Sequence, residues 1–512
     1  MKMRAPSDEV SDDRYVKWHM LMMLIVLGYG LLSLVIGEKV PAGGGFGWDG
    51  VTYADIAKNL PSLISNGQMT SYFAQRILPS VLVRTGLLIF GLDFSNINIV
   101  RGFVICDLAA LLAAAAVWKA VSDHLRLGLN TRWLGFGAIF VNFFATKQVE
   151  FYPVLTDTTA LLIGMLLLLC YLKQRPVALF LVVIAGSFVW QVTGLCGAFL
   201  MIFLKTRIPD SDAPEDQPRI AARTMRKPLV AWLSLLVICI ASYVAMQKYL
   251  TPEALGSGRV QKLECFVTGL PSLVAAGAAI LVVLGSVRQV RDIFKALVRV
   301  DVKLWVLALL CIAIPKLIVA VIANRNLANP NGFSQVLEWM VFPISGGGRF
   351  LTPLVGLSVY WGPAFLLMVL LWRKVAAEVR RLGPGAMAVV SLHVPLGLVT
   401  EPRYILVGWP FAVTALALAL EKANPTRSLM YAFAALSVIA SQFWLRINYR
   451  PWTGGDYEKF LEFPKQLFFM HYGAWMSWTT FLAQLPLVLL SAFWLRSALH
   501  NQGAALSAQA KS

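Results

Sequence analysis

Two aspartates in this sequence stand where a polar connection meets an apolar run. Asp49 lies in the string GWDG and precedes apolar residues at helical spacing, and Asp157 lies in LTDT at the start of an aliphatic run. A carboxylate in such a place can take a proton from an attacking hydroxyl, or bind a hydroxylated substrate or a cation. An aspartate at the start of a helix is also an ordinary N-cap, so each position alone is compatible with a structural role.

Three arginines form a second candidate set, because they lie in connections between apolar runs. They are Arg76, Arg349 and Arg403. An arginine at a membrane boundary is costly unless it is paired or binds an anion, and its planar fork matches phosphate. Glu401 stands two residues before Arg403 and offers it a carboxylate. Pairing, or extension of the side chain toward water, therefore remains an alternative to anion binding.

Other polar residues fall inside apolar runs. Asp107 and Lys316 could pair with one another or line a transport path, and His393 is typical of an ordinary helix-bundle residue. The six cysteines form no CxxC pair, and no soluble-enzyme motif is present. Asp49 has no adjacent acid, so neither a metal nor another cofactor is indicated, although a divalent cation remains open.

The elements that must position these residues are transmembrane helices. The chain of 512 residues is 58% hydrophobic and 14% charged, with a mean hydropathy of +0.67. Its apolar runs of about 15–22 residues match the length of a helix that crosses a bilayer. The sequence predicts an all-α, polytopic bundle of about 13–15 spans. The shorter apolar run 77–91 contains Arg84 and is predicted as an interfacial or re-entrant helix.

The net charge of +18 is distributed in a way that indicates topology. With the N-terminus inside, most Lys and Arg residues fall on the cytoplasmic side, as in other multi-pass membrane proteins. No concentrated basic patch on a soluble face is present, so nucleic acid is not a predicted partner. The predicted organisation is a cytoplasmic tail 1–18, an N-terminal module 19–205 with a periplasmic loop 38–97, a cytoplasmic loop 206–228, a C-terminal module 229–496 and a cytoplasmic tail 497–512.

Several of these strings resemble the GT-C superfamily of polytopic membrane glycosyltransferases. They are GWDGVTY after the first span, YFAQRILP in the same loop, LTDT at a later span, and EPRY with Trp409 and Pro410 in the next span. The resemblance covers residues 19–205 best. It implies interfacial helices in the first loop and a bacterial cytoplasmic-membrane enzyme that moves a sugar from a polyprenyl-phosphate carrier to a periplasmic acceptor.

The resemblance also implies roles for individual residues. Asp49 would be the general base, an arginine among Arg76, Arg349 and Arg403 would stabilise the departing phosphate, and Asp157 would orient the donor or acceptor sugar. Tyr53 and Glu401 are further substrate-binding candidates. The partners would be a lipid-linked sugar donor, membrane lipids and an acceptor that is a glycan, lipid or protein. The donor sugar and the stereochemistry stay open.

Two other functions remain as alternatives. A transporter or lipid-linked-sugar flippase would use polar residues within spans, such as Asp107 and Lys316, and would enclose a central cavity. A polysaccharide polymerase or ligase would centre on a late outer loop, for which 448–472 with Arg450 and His471 is the candidate.

Overall fold

The computed structural model describes residues 12–206, 274–324, 326–327, 351–399, 401–450, 462–466 and 476–509. This part of the chain is helical throughout and contains no strand, which confirms the all-α prediction. The predicted spans in the later part of the chain include 229–247, 266–287 and 353–372. The first of these, part of the second, and Arg349 lie outside the described residues.

The N-terminal part contains ten α-helices, α1 to α10. Short 3-10 and π turns interrupt them at Ala42–Gly45 and Phe144–Gln148. The helices are Asp12–Ile36, Asp49–Ser65, Ser71–Ala74, Leu78–Ile89, Asn96–His124, Leu129–Phe140, Val149–Phe151, Asp157–Leu172, Pro176–Gly186 and Thr193–Ile202.

The later part adds α11 to α19, with a 3-10 turn at Pro402–Ile405. These helices are Val287–Val298, Val302–Ile322, Thr352–Trp361, Pro363–Leu370, Trp372–Leu382, Pro384–Leu396, Trp409–Lys422, Arg427–Ser441 and Trp478–Gln509.

Four of the described helices are long and apolar enough to cross a bilayer. They are Val16–Ile36 within α1, Asn96–His124, Val302–Ile322 and Trp478–His500 within α19. A fifth crossing arises if the bent pair Val274–Leu284 and Gln289–Val298, which meet at 67°, is one span. These helices are consistent with a multi-pass membrane protein.

Several predicted spans are divided into shorter pieces. The run 353–372, predicted as one helix, is broken at Gly362, where φ is +69°, and restarts at Pro363 as α14. A proline has no N–H to donate and disfavours the helical conformation of the residue before it, so glycine followed by proline ends a helix locally. Apolarity predicts burial in lipid or protein, but it does not predict an unbroken crossing.

The first loop folds into a compact unit, which we call the first-loop cap: helices α2, α3 and α4. Its apolar residues form a core of their own with α5 and with residues 151–155. Tyr53, Ile56 and Ala57 lie on the buried face of α2. The helical spacing predicted after Asp49 is therefore confirmed. The buried face of α2 packs the first-loop cap against α5 and residues 151–155.

The two halves of the chain pack against each other over a larger core. Helix α6 contacts α17, and α10 contacts both α12 and α16. This packing brings the turn 402–405 from late in the chain to the start of α2 and α8.

Candidate functional site

Asp49 is the first residue of α2, and its side chain does not cap the helix. Trp48 occupies the N-cap position and makes no side-chain capping bond. The backbone N–H of Gly50 donates instead to the hydroxyl of Tyr152, at 3.1 Å. The Asp49 carboxylate is thus free of a capping role, and 37% of its side chain is exposed. The dipole at the N-terminus of α2 favours its negative charge.

Asp157 begins α8 in the same manner. Its side chain is buried, and the amide of Gln148 donates to Oδ2 at 3.1 Å. Thr156 is the N-cap and makes no side-chain capping bond. Both aspartates are therefore first-turn acids with partners outside their own helices, and the N-cap interpretation accounts for neither.

Arg403 joins these two carboxylates. Its guanidinium lies 3.5 Å from Asp49 Oδ2, 3.6 Å from Asp157 Oδ1 and 2.5 Å from Glu401 Oε2. Burial opposes its charge, but the three carboxylates outweigh burial and hold the pKa of Arg403 well above its usual value. Arg403 is therefore permanently cationic and acts as the centre of an acidic cluster.

Arg76 lies in a different environment. Its guanidinium carbon is 4.4 Å from the ring centroids of both Tyr72 and Trp190, and one nitrogen donates to the Tyr53 hydroxyl at 3.5 Å. The residue is 2% exposed, and its Nε has no hydrogen-bond partner among the described residues. No acid in that part of the chain pairs with it within 4.0 Å. A buried guanidinium held by two aromatic faces and one phenol hydroxyl has unused donor capacity for an anion.

Tyr53 connects Asp49 to Arg76. It lies one turn after Asp49 on α2 and is fully buried. Burial raises the pKa of its phenol, although Arg76 opposes that shift. The neutral hydroxyl accepts from Arg76 and keeps its own proton for a further bond.

Two of the polar residues predicted inside spans, Asp107 and Lys316, do not pair with each other. Asp107 is buried and accepts a hydrogen bond from the Thr158 hydroxyl, whereas Lys316 is exposed, so the predicted pairing between them is absent. His393 is buried, with Nδ1 2.7 Å from the Val389 carbonyl, as expected of a bundle residue.

The structure brings together six of the seven residues predicted for the site. Arg349, the seventh, lies outside the described residues, as does His471 of the polymerase alternative. The six are Asp49, Tyr53, Arg76, Asp157, Glu401 and Arg403.

Sequence reasoning missed four residues as parts of the site: Tyr72, Gln148, Tyr152 and Trp190. Tyr72 stands four residues before Arg76, a spacing that signals contact on one turn. The sequence marks Tyr152 only by its place five residues before Asp157. Gln148 and Trp190 carry no local signal, because their places depend on the packing of distant helices.

The three acids and two arginines leave one net negative charge when all are ionised. Among the described residues no group of three or more His, Cys, Asp or Glu is arranged to hold a metal ion. A small cavity beside the cluster is lined by Asp107, Gln148 and Asp157 among others. A larger cavity of about 620 Å³ lies away from the cluster, between α18 and α19.

Comparisons with models of known protein families, with curated proteins and with solved structures find no match to this chain. The function is therefore argued from the site itself.

Proposed function

We propose that this protein is a membrane glycosyltransferase that moves a sugar from a polyprenyl-phosphate carrier to an acceptor, with Asp49 as the general base. The observation that carries the proposal is the arrangement around Asp49. The partly exposed carboxylate of Asp49 lies beside Arg403, and the buried Arg76, which donates to Tyr53 on the same helix as Asp49, has no carboxylate partner among the described residues.

The reaction needs both parts of this arrangement. The acceptor oxygen forms a bond to the anomeric carbon of the donor while the bond from that carbon to the phosphate oxygen breaks. The acceptor proton passes to the Asp49 carboxylate, and the electron pair of the broken bond stays on the polyprenyl phosphate. Negative charge thus grows on the phosphate as it leaves, where a fixed cation stabilises it.

The two arginines have separate roles in this proposal. Arg403 is occupied by three carboxylates and holds Asp49 and Asp157 in place. Arg76 has free donor capacity and is the phosphate-binding residue. Asp157, held by Gln148 and Arg403, orients the sugar. Tyr53 accepts a hydrogen bond from Arg76 and so holds its guanidinium near Asp49.

The proposed location is the bacterial cytoplasmic membrane, with 13–15 spans, both termini in the cytoplasm and the site on the periplasmic side. The charge distribution supports this orientation. The first-loop cap, with apolar residues such as Ile89 and Phe90 exposed on α4 and its end, provides a surface along which a lipid carrier reaches Asp49.

Transport is the less favoured function. Its two diagnostic residues, Asp107 and Lys316, are respectively buried against Thr158 and exposed. The charged residues of the site lie together around the starts of α2 and α8 and the turn 402–405, as a transferase needs.

The test is a turnover assay in proteoliposomes with a panel of radiolabelled polyprenyl-phosphate sugars. We expect Asp49→Asn to abolish transfer and donor hydrolysis, because asparagine has the shape of aspartate but cannot accept the acceptor's proton. Asp55→Asn is the matched control, because Asp55 lies on the same helix and accepts a hydrogen bond from the Asn59 amide at 2.8 Å. This variant should retain wild-type turnover.

Equal activity of the wild type and Asp49→Asn would remove Asp49 as the base and direct attention to Asp157. No turnover of any donor by the wild type, with the panel proved on a competent enzyme, would refute the transferase proposal itself.

A further inference from the structure

The surface immediately beside Asp49 is aromatic. Trp48 precedes the proposed base and is 43% exposed, although Gly47 and Gly50 on either side of the pair are buried. The indole of Trp48 and the carboxylate of Asp49 are therefore both accessible at the surface, at the start of α2.

Two tyrosines fix the orientation of this indole. Tyr152 and Tyr449 lie with ring centroids 5.7 Å and 5.6 Å from Trp48, at interplanar angles of 67° and 82°. Both contacts are edge-to-face, and neither ring is stacked in parallel on the indole. Tyr152 is itself held by the Gly50 N–H, so the cluster is tied to the helix that carries Asp49.

The cluster is assembled from both halves of the chain. Trp48 belongs to the first loop and Tyr152 to the approach to α8, whereas Tyr449 follows α18. Tyr152 is buried in the apolar core of the first-loop cap and Tyr449 packs against that core, whereas Trp48 is exposed beside Asp49. The arrangement therefore places a fixed, exposed indole at the entrance of the acidic cluster.

We propose that Trp48 and Tyr449 form a subsite for the pyranose ring of the acceptor, so that the acceptor is a carbohydrate. A pyranose presents an apolar face of axial C–H groups that packs on an electron-rich ring, and its hydroxyls project from the edge. A ring seated on Trp48 brings one of those hydroxyls to Asp49. A serine or threonine acceptor has no such face to place on the indole.

This inference rests on the proposed function for its chemistry, but it has a binding test of its own. The probes are methyl pyranosides of glucose, galactose, mannose and N-acetylglucosamine, with glycerol as the acyclic control. Saturation-transfer difference NMR on the full-length protein in nanodiscs reports which ligand protons touch the protein.

We expect at least one pyranoside to give signals strongest at its ring C–H protons, and glycerol to give none. Trp48→Ala should weaken binding by about tenfold or more, Trp48→Phe should retain part of it, and Tyr449→Ala should weaken it less than Trp48→Ala does. Trp478→Ala is the matched control, because Trp478 is similarly exposed, at 48%, and packs edge-to-face on Phe481 of α19.

Thermal unfolding of each variant separates loss of binding from loss of fold, and Trp48→Phe keeps the test informative if the alanine variant is unstable. Equal signals in the wild type and Trp48→Ala, or no signal from any pyranoside, would overturn the subsite. Pyranoside binding without donor turnover would refute the transferase proposal and leave the subsite standing, whereas donor turnover without pyranoside binding would refute the subsite alone.

Discussion

The two arginines of the site, the buried Arg76 and the partly buried Arg403, differ in what surrounds their charge. Arg403 touches three carboxylates, while Arg76 lies between two aromatic rings with one phenol as its hydrogen-bond partner. Removing the first leaves buried acids without a counter-charge, and removing the second takes a costly charge out of the interior. The same substitution should therefore have different consequences for stability at the two positions.

We expect Arg403→Gln to destabilise the protein by about 3–5 kcal/mol, as observed when one member of a buried ion pair is removed. Arg76→Gln should be near neutral for stability and should nevertheless lose donor turnover. Thermal unfolding in detergent, with and without added polyprenyl phosphate, measures both effects. The phosphate should stabilise the wild type but not Arg76→Gln, and a similar loss of stability in both variants would contradict the division of roles.

A second residue-scale prediction concerns Glu150, which lies on the short helix α7 near Lys39. Both carboxylate oxygens are buried without a hydrogen-bond partner among the described residues, and burial raises the pKa of Glu150 to about 8, although Lys39 opposes the shift. The folded protein therefore keeps a proton that the unfolded chain releases above its ordinary pKa of 4.5. Stability is highest below that value and falls as the pH rises toward about 8.

Unfolding temperatures measured across this pH range should fall with rising pH in the wild type and less steeply in Glu150→Gln, which stays neutral throughout. Parallel curves for the two proteins would show that Glu150 does not hold this proton.

At the scale of elements, the start of α2 depends on glycines that permit a close approach. Gly47 has φ of +78°, and a Cβ there would lie 2.2 Å from the Tyr152 ring. A Cβ on Gly50 would lie 2.9 Å from the backbone oxygen of Val154. The positive φ of Gly47 and the close contact of Gly50 with Val154 together position α2 against residues 152–154. They therefore determine where the Asp49 carboxylate points.

Gly50→Ala should displace the start of α2 and lower turnover more than tenfold, with a loss of about 1–3 kcal/mol in stability from overpacking. Gly86→Ala, on α4 of the same first-loop cap, is the matched control, because no atom lies within 4 Å of its added Cβ. That change should be neutral or stabilise the helix by up to about 1 kcal/mol. Unchanged turnover in Gly50→Ala would mean that the packing of α2 against residues 152–154 does not determine the position of Asp49.

The sequence was informative about elements and less so about their continuity. Helical spacing after Asp49 correctly predicted α2, and apolarity correctly predicted an all-helical chain. The break at Gly362 and the π turn before α7 were not predicted, since hydropathy does not register backbone geometry. The position of charged residues beside apolar runs pointed to Asp49, Asp157 and Arg403, which the structure places in contact. Their mutual contacts, and those of Trp190 and Gln148, required the three-dimensional packing.

At the scale of the whole molecule, a polar network joins the two halves beneath the site. Lys147 Nζ donates to the carbonyls of Gln442 and Leu445 and to the side chain of Gln466. Gln442 in turn accepts from Gln466 at 3.1 Å and donates to Gln484 of α19 at 2.8 Å. The network fixes the last long helix to the N-terminal half through buried groups that water cannot easily replace.

Lys147→Met should cost about 1–3 kcal/mol, because it leaves buried acceptors without a donor. Lys119→Met removes an exposed pair with Asp123, whose side chains are 43% and 42% exposed, and should have little effect. Comparing unfolding temperatures and the protease sensitivity of α19 in the two variants tests this. Equal behaviour would show that helix packing alone joins the halves.

The shared arginine also has a consequence for biosynthesis. Asp49 and Asp157 leave the ribosome long before Arg403, which pairs with both of them. Until that turn is inserted, the nascent chain has a buried acid at the head of α8 without its counter-ion, and this half-made state is energetically unfavourable. A chain interrupted before Arg403 therefore keeps the proposed base but lacks the geometry to use it. If the proposed function is correct, the site is complete only late in translation, when the turn 402–405 reaches the starts of α2 and α8.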